Sequence, residues 1–92
     1  MQQELAHLIG LRSLAWLAAE DGLFETFLSA SGGDAAQIRA RANDPALLAS
    51  VLDFVLGSDD WVIACAAAQN IRPEQVLMAR AVLGGGDTRH WT

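Results

Sequence analysis

Residues that start and stop helices recur about every ten to fifteen positions along this chain, and this spacing constrains the fold more than any other feature of the sequence. The first segment runs from about Gln3 to Ala19 and ends at EDG, and the second takes LFETFLSA, residues 23–30, before SGG. Glycine ends a helix readily because it adopts the left-handed backbone conformation without strain. No segment keeps the two-residue alternation of a half-buried strand, so the sequence predicts an all-α protein.

Capping residues mark the other four segments. Asp34 and Gln37 form a capping-box pattern for a third helix that extends through Ala42. The remaining starts and the last end follow the same preferences and are, in chain order, Asp44 before Pro45, Ser58, Pro73, and Leu83 before Gly84. The prediction is a compact bundle of about six short helices, with one domain over residues 1–84 and a Gly-rich tail over residues 85–92.

The two halves of the chain match at a constant offset of 38 residues, which aligns Phe27 with Cys65 and Ile38 with Val76. Helices one to three and four to six are therefore interpreted as two copies of one three-helix unit. Apolar helices also align by chance, so two unrelated halves stay open as an alternative. In either case the fourth helix, PALLASVLDFVL, is apolar around more than half of its circumference and is predicted to lie at the centre of the core.

Charge and composition disfavour several classes of partner. The net charge is −5, all six basic residues are arginine, and no lysine is present to serve a phosphate loop or a Schiff base. Nucleic acid and anionic membranes bind mainly basic surfaces, so neither is an expected partner. The longest apolar stretch is broken by Asp53 and is short of the ~20 residues that a membrane helix needs. A single cysteine and the absence of a signal-peptide pattern predict a cytoplasmic protein.

The pieces LAWLA, FLSASG, DPALLASVLDFVL, the Pro-Glu and Ala-Arg-Ala of the last helix, and the final HWT resemble a family of short alphaproteobacterial proteins catalogued as domain of unknown function 3572. The resemblance spans nearly the whole chain. This sequence has Gly-Asp-Ala before the third helix, where the family is expected to have Leu-Asp-Pro. The resemblance implies a small, all-helical, cytoplasmic bacterial protein and implies no activity.

No residue pattern in the chain predicts a catalytic centre, a cofactor or a metal site. Cys65 would need a nearby base, and the two histidines, His7 and His90, lie far from it in sequence. Cys65 also shares a helix face with Trp61 and Val62, so core packing is expected. We therefore expect a non-enzymatic protein.

Two features of the first helix favour packing over chemistry. Gly10 lies near Ala6 and Ser13 on a narrow stripe of small residues that would allow another helix to approach closely. Arg12 falls within the apolar arc formed by Leu5, Leu8, Ile9 and Trp16. Its guanidinium is expected either to lie along the indole of Trp16 or to pair with a carboxylate such as Asp53.

The sixth helix has apolar residues on two sides, and one helix at the rim of a small domain cannot bury both. Val76, Ala79 and Leu83 form one side, while Leu77, Met78, Ala81 and Val82 spread over the other. The second side is the predicted partner surface, and the expected function is a protein-protein interaction module that binds a protein partner or a second copy of itself. The alternative is a small-ligand-binding or enzymatic domain with a pocket between the two helical halves.

Trp91 is the remaining candidate for partner binding. It follows three glycines that allow the chain to turn back, so its indole is expected either to dock on its own domain or to anchor a partner. A disordered end is the third possibility.

Overall fold

The predicted helix starts and ends correspond to six helices in the computed structural model, which describes residues 1–83. No strand occurs within that range, so the all-α prediction is confirmed. The radius of gyration is 12.4 Å, close to the about 12 Å expected of a compact domain of this size. The predictions for the tail, including Trp91, lie outside the described residues. The helices are α1 Gln3–Ala19, α2 Leu23–Ser31, α3 Ala35–Ala40, α4 Pro45–Val55, α5 Asp59–Gln69 and α6 Pro73–Leu83.

Side-chain caps begin three of these helices as predicted. The carboxylate of Asp34 accepts from the Gln37 N–H at 2.9 Å, and that of Asp44 accepts from the Ala46 N–H at 2.9 Å. The Ser58 hydroxyl accepts from the Trp61 N–H at 3.4 Å. Each bond satisfies an amide that has no partner within its helix.

The third helix is shorter than predicted because its end is part of the next cap. It stops at Ala40, two residues before the predicted Ala42. The Asp44 N–H donates to the Arg41 carbonyl at 2.8 Å, and the Arg41 guanidinium donates to the Asp44 carboxylate at 2.9 Å. These two bonds hold residues 41–44 in a turn. The hydrogen bond from the Arg41 guanidinium keeps the pKa of the Asp44 carboxyl below its ordinary value, and the hydrogen bond from the Ala46 N–H is the next cause.

Small residues on one stripe of α1 let two other helices pack closely on it. The buried residues of α1 are Ala6, Ile9, Gly10, Ser13 and Leu17. A Cβ atom at Gly10 would lie 3.0 Å from the Leu48 Cβ of α4 and 3.3 Å from the Leu83 Cδ1 of α6. The predicted close helix contact is confirmed.

The same contact determines which side of α1 faces the core. Leu5 and Leu8, which belong to its apolar arc, are 42% and 39% exposed. The stripe of small residues faces the core because it lets α4 and α6 pack closely on α1.

The core has two clusters that share α1 and α4. The first lies between α1, α4, α5 and α6 and comprises Ala6, Ile9, Leu52, Val55, Cys65, Ala66, Val76 and Ala79. The second lies between the first four helices and comprises Leu17, Phe27, Ile38, Leu47 and Val51. Six residues of α4 are buried, so its predicted central place is confirmed.

An aromatic row connects α2, α4 and α5 along the edge of this core. The Phe54 ring meets the Phe27 ring edge-on at a centroid distance of 5.4 Å and stacks on Trp61 at 4.8 Å. Phe54 is half-buried, not buried as its place on α4 predicts, because it reaches sideways to these two rings.

At the 38-residue offset the two halves share two helix bounds, the end of α2 with the end of α5 and the start of α3 with the start of α6, and they do not share their packing. Phe27 and Cys65 are both buried, and so are Ile38 and Val76. However, α6 packs broadly on α1 and α4, whereas α3 contributes one buried residue, Ile38, to the second cluster. A duplication of the sequence unit therefore stays a prediction, and the packing of the halves differs.

Replacing Gly10 by valine tests whether α1 and α4 are in close contact at this position. Leu48 Cβ is fixed to its backbone, so the added methyls force α4 away from α1, and Gly10→Val should lower the free energy of unfolding by about 1–3 kcal/mol. Urea denaturation measures the change. Ala18→Val, on the exposed side of the same helix, is the control. Equal stabilities of the two variants would contradict close packing at Gly10.

Candidate interaction surface

Large apolar side chains are exposed on three helices of the described chain. On α6, Leu77 is 61% exposed and Met78 is 43% exposed. Ile63 on α5 is 57% exposed, and Leu5 and Leu8 lie on α1. Leu77 and Met78 are the neighbouring pair that the sequence predicts to face outward, and the structure places both of them there. Val82, the third predicted residue of this surface, is half-buried and packs against the first core cluster.

The inner face of α6 explains why Leu77 and Met78 remain outside. Val76 and Ala79 are completely buried, and Leu83 reaches the backbone of Gly10. Residues spaced three or four apart share one side of a helix, so Leu77 and Met78 point away from this buried side. The exposed residues Glu74 and Ala81 lie on the same outer side. We call Glu74, Leu77, Met78 and Ala81 the outer face of α6.

An ion pair fixes α6 to α4 beside the outer face. The Arg80 guanidinium donates to both carboxylate oxygens of Asp53, at 2.6 Å and 3.0 Å. Two parallel bonds to one carboxylate hold the orientation as well as the distance. Asp53 is thus paired with Arg80, and the expected pairing of Asp53 with Arg12 is wrong because Asp53 faces α6.

Arg12 instead lines a shallow groove between α1 and α5. The groove has a volume of about 430 Å³ and opens widely to solvent; its walls are Arg12, Ala15, Trp16, Ala68, Gln69 and Asn70. The exposed Arg12 makes no hydrogen bond or ion pair with any residue between 1 and 83. Arg12 and Trp16, one helical turn apart on α1, both line the groove. The wall formed by α5 could not be predicted from the sequence of α1 alone.

A buried polar group lies behind this groove. The Cys65 thiol donates to the Ser13 hydroxyl at 3.3 Å, and the Gln69 side-chain N–H donates to the Ser13 hydroxyl at 2.9 Å and to the Cys65 sulfur at 3.3 Å. Ser13 and Cys65 are completely buried. The Gln69 Oε1 atom is also buried and has no hydrogen-bond partner in the described part of the chain.

The chemistry of Cys65 follows from this burial. Desolvation raises the pKa of the thiol above its ordinary value, and the hydrogen bonds with Ser13 and Gln69 oppose the rise only in part. The thiol is therefore protonated at neutral pH, and a protonated, buried thiol is a poor nucleophile. The predicted packing role is confirmed as far as burial is concerned.

Other groups of polar side chains in residues 1–83 are sparse. The His7 ring nitrogen lies 3.4 Å from the Asn43 side-chain oxygen, and no set of three histidine, cysteine or acidic side chains in this range is close enough to hold a metal ion. None of the described helices has the length and apolarity needed to cross a membrane.

Comparison with known proteins gives one family. The family described as protein of unknown function (DUF3572) matches residues 3–86, nearly the whole chain. No curated protein and no solved structure matches the chain.

Alkaline denaturation should report the buried thiol directly. Because the folded state raises the Cys65 pKa, its contribution to stability is complete below the ordinary value of 9.0 and is lost as the pH rises above it. The chain has no tyrosine and no lysine, so no other side chain titrates between about pH 9 and 11. Urea unfolding should show stability falling over this interval in the wild type and staying level in Cys65→Ala. The same fall in both proteins, or rapid maleimide labelling of the folded wild type, would contradict the burial.

Proposed function

Since this chain belongs to the family described as protein of unknown function (DUF3572), which names no activity, we propose a function from its surface. The protein is a non-enzymatic helical module that binds another protein through the outer face of α6, with Val82 at the edge of the contact. The observation that carries this proposal is the pair Leu77 and Met78, exposed on a helix whose opposite side carries the completely buried Val76 and Ala79.

The energetic reason lies in the apolar area that α6 leaves in water. Burying a leucine or methionine side chain is favourable by about 1.5–3 kcal/mol when its whole surface is covered. Much of the side-chain surface of Leu77 and Met78 is exposed to water, so a partner that covers it gains part of this free energy. Both residues lie on a packed helix, so this surface is already ordered before a partner binds. Methionine also adapts its shape to different partners.

Charge near the outer face describes the partner that would fit it. Glu74 is exposed on that face, and the Arg80–Asp53 pair leaves the Asp53 side chain 57% exposed beside it. The chain as a whole carries a net charge of −5. A partner with an apolar centre and a neutral or basic rim is complementary to this arrangement, and nucleic acid is not.

A reducing bacterial cytoplasm is the setting that we propose with this function. Its support is the buried, reduced Cys65, since a free buried thiol suits a compartment where disulfides are rare. The family resemblance supports a bacterial host.

The non-enzymatic part of the proposal is supported by the side chains that line the grooves. The alternative function, binding or catalysis in a pocket between the halves, would use the groove between α1 and α5. Arg12 is the ionisable side chain that lines it, and proton transfer would need a second group of intermediate pKa. The open shape also exposes a bound substrate to water.

Charge placed on the outer face should remove binding and leave the fold intact. Leu77→Glu/Met78→Glu should keep the wild-type circular dichroism spectrum and melting temperature, because neither side chain contributes to a core cluster. Association should fall at least tenfold, since two carboxylates would have to be buried against an apolar partner. Sedimentation velocity measures self-association, and quantitative mass spectrometry of material that co-purifies from the native cells measures partner binding.

Two control variants isolate the cause. Ala64→Glu/Ala67→Glu adds the same charge on the exposed side of α5 and should leave association unchanged. Leu77→Gln/Met78→Gln removes the apolar groups without adding charge and should also weaken association. Wild-type association in the glutamate variant would remove α6 from the proposal, and unfolding of that variant would place the two residues in the core.

A further inference from the structure

The groove between α1 and α5 is a surface of the described chain that is separate from the outer face of α6. We propose that it is the docking site of the chain's own residues 84–92, with the Trp91 indole against Ala15 and Ala68 and the Asp87 carboxylate paired with Arg12. This inference concerns a different surface from the outer face of α6 and does not depend on the proposed function.

The walls of the groove match that segment in chemistry. Ala15, Trp16 and Ala68 supply apolar surface, and Arg12 supplies a cation without a partner in residues 1–83. The segment GGGDTRHWT contains one carboxylate, Asp87, and one large apolar side chain, Trp91. A guanidinium and a carboxylate form strong paired hydrogen bonds, and an indole covers more apolar area than any other side chain.

Gln69 gives the groove a second unpaired group. Its Oε1 atom is buried and lacks a donor among the described residues. The indole N–H is a donor that needs one acceptor.

The distance from the end of α6 to the groove is within reach of the segment. Leu83 contacts α1 at Gly10, two residues before Arg12 and six before Trp16. Six residues of helix rise about 9 Å. The eight residues from Leu83 to Trp91 span at most about 26–29 Å, and Gly84 to Gly86 impose few limits on the turn.

The other grooves of the described chain suit the segment less well. In the groove between α2 and α4, the charged residue is Asp53, which already pairs with Arg80. The groove at the start of α1 is lined by polar side chains, residues 2–4 and His7. The groove beside Ile38 also contains an arginine, Arg39, but its volume is about 140 Å³, one third of that beside Arg12.

Nuclear magnetic resonance of the full chain tests where Trp91 lies. We expect nuclear Overhauser contacts from the Trp91 indole to the methyl groups of Ala15 and Ala68. Trp91→Ala should shift the amide signals of both residues and lower the melting temperature by on the order of 5 °C, because apolar surface returns to water. Changes confined to residues next to Leu83, or to the outer face of α6, with unchanged melting would overturn the proposal.

Charge reversal tests the pairing of Asp87 with Arg12. Arg12→Glu and Asp87→Arg should each reproduce part of the loss in melting temperature, and the double variant should recover it. The control makes the same charge reversal at Arg39, an exposed arginine on α3, and leaves Arg12 unchanged. Arg39→Glu/Asp87→Arg has the same net charge and should not recover stability. Recovery in the control, or none in the double variant, would show that Asp87 does not pair with Arg12.

Two further outcomes identify a different occupant. A melting temperature that rises with protein concentration would show that the segment docks on a second copy of the chain. Amide shifts at Ala15 and Ala68 that appear only when a tryptophan-containing peptide is added to the full chain would show that an external ligand uses the groove. Either result would overturn docking within the chain. Leu77→Glu/Met78→Glu should leave the indole contacts unchanged, so the two proposals fail separately.

Discussion

The close approach of α4 and α6 to Gly10 is the contact on which the rest of the structure depends. Because a Cβ atom at this position would lie 3.0 Å from Leu48 Cβ, only glycine lets both helices meet α1 without displacement. The approach brings Leu83 and the inner face of α6 into the core and pairs Arg80 with Asp53. It thereby fixes which side of α6 faces water. The exposure of Leu77 and Met78 is a consequence of packing at the opposite side of the same helix.

Local signals predicted the helices well because capping is decided within four residues. Asp34, Asp44 and Ser58 each accept a hydrogen bond from an amide two or three positions later, so their role is present in the sequence. The orientation of α1 was not predictable in this way. Leu5 and Leu8 lie on one side of α1 and its small residues on another, and which side faces the core depends on α4 and α6, which contact α1 only after folding.

The candidate surface was predictable in part for the same reason. The sequence of α6 has more apolar residues than one buried side can hold, which implied that some of them are exposed. Leu77 and Met78 are this exposed pair. The groove beside Arg12 joins residues more than fifty positions apart, so no local pattern indicated it. The partner of Asp53 was also missed, because Arg80 is one of six arginines and the sequence does not rank them.

Ser13 shows how the close packing of α1 determines the environment of Cys65. The position needs a small residue, and a serine buried there needs hydrogen-bond partners, which Cys65 and Gln69 provide. Desolvation at this buried position keeps the thiol protonated, although the two hydrogen bonds oppose the rise of its pKa in part, so the same packing that admits α5 takes the chain's single cysteine out of nucleophilic chemistry. Within residues 1–83, the groups available for contact include the apolar area on α6 and the Arg12 guanidinium beside Trp16, which has no partner in that range. Both are suited to contact, and this is the physical basis for treating the chain as a binding module.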